Sequence, residues 1–185
     1  NDLYVTAAKN RLYALQGRAA TNDLADRART LFDRDAAITR RYNTQLAGGK
    51  WNHMMDQTHI GYTYWQEPPR NVMPRVDVIQ LPIAADMGVA IVEQNRPPIQ
   101  RGIGGGMSPR EPMLPAFDPY ERQTYHLDIY NRGQTPFEYS VQTTEPWLLV
   151  SPARGKIDKE QRLAVSVDWA RAPVGQQKVA ITITA

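Results

Sequence analysis

The sequence predicts an α+β chain: an N-terminal α-helical segment, part of a helical bundle, followed by an antiparallel β-sandwich. Two patterns carry that expectation. Up to Gly48 the apolar residues recur every three or four positions, whereas from Val76 onward they alternate in short runs separated by turn residues. A third observation places the change of period: a dense aromatic stretch, Gly48 to Pro69, stands between the two regimes. The expected division is a helical domain over 1–75, truncated at its N-terminus, and a β-sandwich accessory domain over 76–185.

The helical part begins with Asp2 to Gln16, mostly good helix formers. Val5, Ala8, Leu12 and Leu15 share one face, and Gly17 sits where a left-handed cap is expected. Thr21, Asn22 and Asp23 can each cap a second helix. After them Leu24, Ala28, Leu31, Asp35, Ile38, Tyr42 and Gln45 form a stripe, widened by Phe32 and Leu46, over about six turns or roughly 36 Å. Asp35 is the acid on that stripe, expected to snorkel at its edge, to bond a buried partner as an interhelical Asp, or to serve a site. Two helices cannot bury so long a stripe alone, so the aromatic stretch must cover it or both must lean on material missing from this chain.

The stretch GGKWNHMMDQTHIGYTYWQEPP holds two of the four Trp and two of the three His. Trp51, Met55, Thr58, Tyr62 and Trp65 keep helical spacing, but Gly61 and the following Tyr and Thr favour extended chain. A short helix over about Trp51 to Gln57 is therefore expected, with Pro68 and Pro69 stopping any continuation. His53 and His59 lie six apart, about 240° around a helix, whereas a helical zinc site wants its His pair four apart. No metal and no cofactor are expected, and the His residues are expected to pair with Asp or pack on aromatic rings. Asp56 and Glu67 are the acids of the stretch, and nothing in the sequence pairs them as glycoside hydrolysis requires. Trp51, His53, Asp56, His59, Tyr62 and Trp65 remain the candidate interdomain or substrate-facing residues. The aromatic members are more often core than binding surface.

In the second half, Val76, Val78 and Leu81, then Met87, Val89 and Ile91, read as strands. Pro97, Pro98, Pro109, Pro112 and Pro115, with Gly104 to Gly106, mark an exposed arm near 96–118. Alternating sets follow at Tyr125, Leu127 and Ile129; at Phe137, Tyr139 and Val141; at Trp147, Leu148 and Val150; at Leu163, Val165 and Val167; and at Val179, Ile181 and Ile183. Short alternating strands so spaced argue a sandwich, with Trp147 and Trp169 in its core or at its rim.

Composition narrows the partners. At 42% hydrophobic and 22% charged residues, the 185-residue chain supports a packed core rather than disorder. Eleven basic and seven acidic residues precede and include Arg75, against eleven and twelve after it, and both signs are interspersed. Neither nucleic acid nor membrane is therefore an expected partner. The absence of Cys removes disulfides and thiolate metal sites. With Asn1 first and no basic-then-apolar leader after it, the chain is expected to be a piece of a longer polypeptide.

The order of motifs adds a resemblance. GGKWNHMMDQTHIGYTYWQEPPRNVMP, followed by GVAIVEQ, LPAFDPYERQTYHLDIYNRG, PFEYSVQTTEPWLLVSPARGKI and RLAVSVDWARAPVG, resembles the C-terminal region of glycoside hydrolase family 115, the xylan α-1,2-glucuronidases. That resemblance implies a multidomain hydrolase removing (4-O-methyl)glucuronic acid side groups from xylan. Its catalytic carboxylates belong to an upstream barrel, so it assigns no catalytic residue to this chain. It also implies an accessory role beside that barrel, glucuronoxylan as the partner of the intact enzyme, a homodimer contact, and a secreted or periplasmic location. The alternative is a stand-alone carbohydrate-binding β-sandwich module.

Overall fold

The computed structural model describes residues 1–62, 64–94 and 112–185. Most of the arm expected near 96–118 lies outside the described residues. The chain divides into two compact units, Asn1–Ala14 with Ala20–Ile79, and Leu15–Ala19 with Gln80–Ala185.

The first unit is built on helix α1 (Asp2–Gln16) and helix α2 (Thr21–Thr44). Gly17 has the expected left-handed conformation, at φ 67°. The buried face of α1 differs from the expected one. Val5 is 67% exposed and Leu15 is exposed too, whereas Leu3, Thr6, Ala7, Asn10 and Tyr13 are buried. Both sets fit a helical repeat, and counting only apolar side chains gave no weight to Thr6 and Asn10. Asn10 is fully buried because its amide is fully used: it donates to the carbonyls of Thr21 (2.8 Å) and Asp77 (2.9 Å) and accepts from the Asp77 N–H (2.7 Å).

The start of α2 also departs from expectation. Ala20 occupies the N-cap without a side-chain bond, Thr21 is buried, and Asn22 turns away to bond both backbone groups of Ile79 at 3.0 Å. Asn10 and Asn22 thus bind residues 77 and 79 as a neighbouring strand would. This explains why Val76 to Leu81 is not a strand: its ladder partners are side chains. The unit's apolar core joins Leu3, Ala28 and Ile60, with Leu31, Phe32, Met73 and Val76 packed against them. Part of the α2 stripe is therefore covered by Ile60 of the aromatic stretch and by Met73 and Val76 beyond it, while Ile38 stays exposed.

Among its described residues the second unit holds seven strands: β1 Met87–Ile91, β2 Tyr125–Asn131, β3 Phe137–Thr143, β4 Leu148–Ser151, β5 Arg154–Ile157, β6 Glu160–Val167 and β7 Ile181–Thr184. They form two antiparallel sheets, ordered β1-β2-β6-β4 and β5-β3-β7. The α+β class with a sandwich-like C-terminal part is thus the observed one. Leu127, Ile129, Leu148, Leu163 and Val165 from the larger sheet meet Tyr139 and Ile157 from the smaller one. Leu127 pairs with Leu163 and Val141 with Ile183 in register, as the alternation requires. Trp147 and Trp169 are half-buried.

Strand β5 has no counterpart among the sequence expectations. Arg154, Gly155 and Lys156 show no alternation, and Gly155 is small because the Tyr139 ring lies over it, 3.0 Å from where a Cβ would stand. Strand β2 is buried on both faces, which alternation alone does not anticipate. Its second face carries Asp128 and Tyr130, met by Arg18, whose side chain is 3% exposed. Arg18 reaches Asp128 at 3.1 Å and Glu160 at 3.0 Å, and its guanidinium lies 4.3 Å from the centre of the Tyr130 ring. Arg162 reaches the other Asp128 oxygen at 2.9 Å. Burial by itself would raise the Asp128 pKa, but bonds and charge from Arg162 and Arg18 outweigh it and hold the carboxyl below the ordinary aspartate range.

Candidate functional site

Helix α2 ends at Thr44, and a short 3-10 turn over Leu46–Gly49 follows. Ala47, Gly48 and Gly49 all have positive φ, so the glycine pair releases the chain as its residues predict. From Trp51 the chain runs in successive turns rather than in the expected helix. The Asn52 N–H bonds the Gly49 carbonyl, and the Met54 N–H bonds that of Trp51. His53 takes φ 67°, which no right-handed helix contains, and buried Asn43 of α2 takes the Met55 N–H at 3.0 Å.

Polar side chains hold this segment from within. Asn43 donates to Asp56 at 2.6 Å, and the other Asp56 oxygen meets His53 Nδ1 at 2.5 Å. Asn71 takes the N–H groups of both His59 and Ile60, at 2.8 and 2.9 Å. Glu67 accepts from the Thr58 hydroxyl at 2.8 Å and from its N–H at 3.2 Å. The Tyr4 hydroxyl of α1 accepts the Gly61 N–H. His59 is tied at both ring nitrogens: Nδ1 lies 3.0 Å from the Gln57 carbonyl and Nε2 lies 2.8 Å from Asp35. Asp35 on the α2 stripe thus has a bonding partner, though one in the following loop.

The apolar side chains of the segment face outward. Trp51 is 38% and Trp65 75% exposed, and Met54, Met55, Tyr62 and Tyr64 are exposed as well, which corrects the expectation that the aromatic residues form core. Ile60 alone among residues 51–62 is buried, and Asp56 and Glu67, which help to fasten the backbone, are exposed as well. Tyr64 and Trp65 stand with ring centres 5.5 Å apart at 48°, and the Lys50 ammonium lies 5.1 Å from the Trp51 ring. Met54, Met55, Gln57, Thr58, His59 and Tyr62 line an open recess of about 350 Å³.

This arrangement suits presentation better than bond breaking. Asp56 and Glu67 each accept from their own partners, and both His59 ring nitrogens face oxygen acceptors. Among the described residues no group of three His, Asp or Glu is placed to hold a metal ion, and no helix is long and apolar enough to cross a membrane. In the other unit, Glu93 accepts both the N–H and Nδ1 of His126, at 2.9 Å each for its nearer oxygen.

Asn10, Asn22, Asn43 and Asn71 escape pattern reading, since amide bonds to backbone have no periodicity. A signal exists at Asn10: asparagine is a poor residue for a helix interior, so its presence there points to a tertiary partner. No family model matches the chain, and no curated protein matches it.

Proposed function

We propose that this chain is the C-terminal accessory portion of a xylan α-1,2-glucuronidase-like hydrolase, and that its outward-facing aromatic stretch is where it buttresses the upstream catalytic barrel. The single observation that carries the docking role is the outward-facing apolar set. Hydrogen bonds from Asn43, Asp56 and Asn71 fix the backbone while Trp51, Met54, Met55, Tyr62, Tyr64 and Trp65 stand exposed. Such a surface is preorganised, so a partner gains its apolar area without the cost of ordering the loop. The enzyme class rests on the resemblance of motif order. With it come glucuronoxylan as the substrate of the intact polypeptide, a homodimer contact, and a secreted or periplasmic location.

Hydrogen exchange tests the docking role directly. Residues 51–65 are expected to gain protection in the longer polypeptide relative to this chain alone, and equal exchange in both overturns it. A second reading, a carbohydrate-binding module, is favoured by the exposed Tyr64 and Trp65 pair, since aromatic faces stack on sugar rings. Calorimetric titration with glucuronoxylan oligosaccharides separates the two. The buttress predicts no saturable heat with this chain alone, whereas saturable binding lost in Tyr64→Ala and Trp65→Ala supports the module instead.

A further inference from the structure

His59 stands between two acceptors. The Gln57 carbonyl oxygen faces Nδ1 at 3.0 Å and an Asp35 carboxylate oxygen faces Nε2 at 2.8 Å. A neutral imidazole carries one N–H and one lone pair, so against two acceptors it can satisfy one and must oppose the other. The imidazolium carries two N–H groups and satisfies both, with opposite charges meeting at Asp35.

We infer that His59 is a proton-dependent latch: protonated, it fastens the segment from Gln57 to Tyr62 onto α2 through Asp35, and on losing its proton it lets go of one of its two acceptors. The consequence is mechanical, because this segment forms one wall of the recess beside Met54 and Met55. Opening the latch loosens the wall that presents Tyr62. The inference rests on the helical unit's own geometry and is independent of the partner's identity.

The charged group facing the ring from α2 is Asp35. From its own segment the ring faces the Gln57 carbonyl, and around the recess the titratable neighbour is Tyr62. Glu67 is one step removed, through Thr58, and Asp56 is engaged with Asn43 and His53. The Gln57 carbonyl raises the His59 pKa above 6.5; burial opposes it, and the bond and charge of Asp35 add to the rise. The latch is therefore fully closed below the unfolded value of 6.5 and opens as pH climbs through the higher folded value.

Nitrogen-detected NMR of the imidazole rings between about pH 5 and pH 9 tests this. His59 is expected to lose its second ring proton above pH 6.5, with the amides of Ile60 and Gly61 moving at the same midpoint. Their hydrogen exchange should quicken about fivefold beyond the ordinary pH effect, as loss of one hydrogen bond implies. Asp35→Asn should lower the His59 pKa. His59→Gln, checked for folding by circular dichroism, should remove the coupled pH response of those amides. Titration at or below 6.5, a His59 unmoved by Asp35→Asn in a folded variant, or amides that keep their pH response in His59→Gln would each overturn the latch.

Discussion

Replacing Asn10 by Ala isolates what a buried amide does for the helical unit. The substitution removes three hydrogen bonds, two donated to the carbonyls of Thr21 and Asp77 and one accepted from the Asp77 N–H. At about 1 kcal/mol net for each, the loss is about 3 kcal/mol, and the better helix propensity of Ala returns roughly 0.5. Asn10 itself is fully buried, so the Thr21 carbonyl behind it is poorly placed to find water in exchange. The expected destabilisation is therefore about 2.5 kcal/mol, read from urea unfolding followed by far-ultraviolet circular dichroism, which reports α1 and α2. Arg11→Ala, one position along on the exposed side of the same helix, serves as the control and should change stability by no more than about 0.5 kcal/mol. A loss under about 1 kcal/mol in Asn10→Ala, close to the control, would refute the idea that the amide holds residue 77 in place of a strand.

Two further outcomes follow from burial and charge. Trp51→Ala and Trp65→Ala should each cost less than about 1 kcal/mol in thermal or urea unfolding of this chain, where buried tryptophans would cost about 3–5; a loss of that larger size would return them to the core. Asp128 has a folded pKa below its ordinary 3.8, so its contribution is present above that value and is lost as pH falls through the lower folded one. Asp128→Asn should therefore flatten the acid side of the stability profile. It should also cost about 1–3 kcal/mol near neutrality, because Arg18 keeps Glu160 but meets an amide in place of the Asp128 carboxylate; an unchanged acid limb in pH-dependent unfolding would contradict the sign.

Period and punctuation in the sequence determined a good deal. Leu24, Ala28 and Leu31 announced α2, Gly17 its predecessor's end, and the alternation of Leu127 with Ile129 or Leu163 with Val165 announced strands that face one core. These are local consequences of backbone geometry, since a helix repeats every 3.6 residues and a strand every two. The pairing of His53 with Asp56 was also legible, being only three residues apart.

Tertiary structure alone decided what the asparagine side chains bind. Asn10, Asn22, Asn43 and Asn71 bind backbone 11 to 67 residues away in the chain, and these bonds turned one expected strand and one expected helix into stapled irregular chain. Burial of Arg18 against Asp128 and Tyr130 likewise depends on a partner 110 residues distant. Spacing along the chain does not say which face a segment turns to solvent, so Trp51 and Trp65 read more readily as core, and only the folded chain places them at the surface.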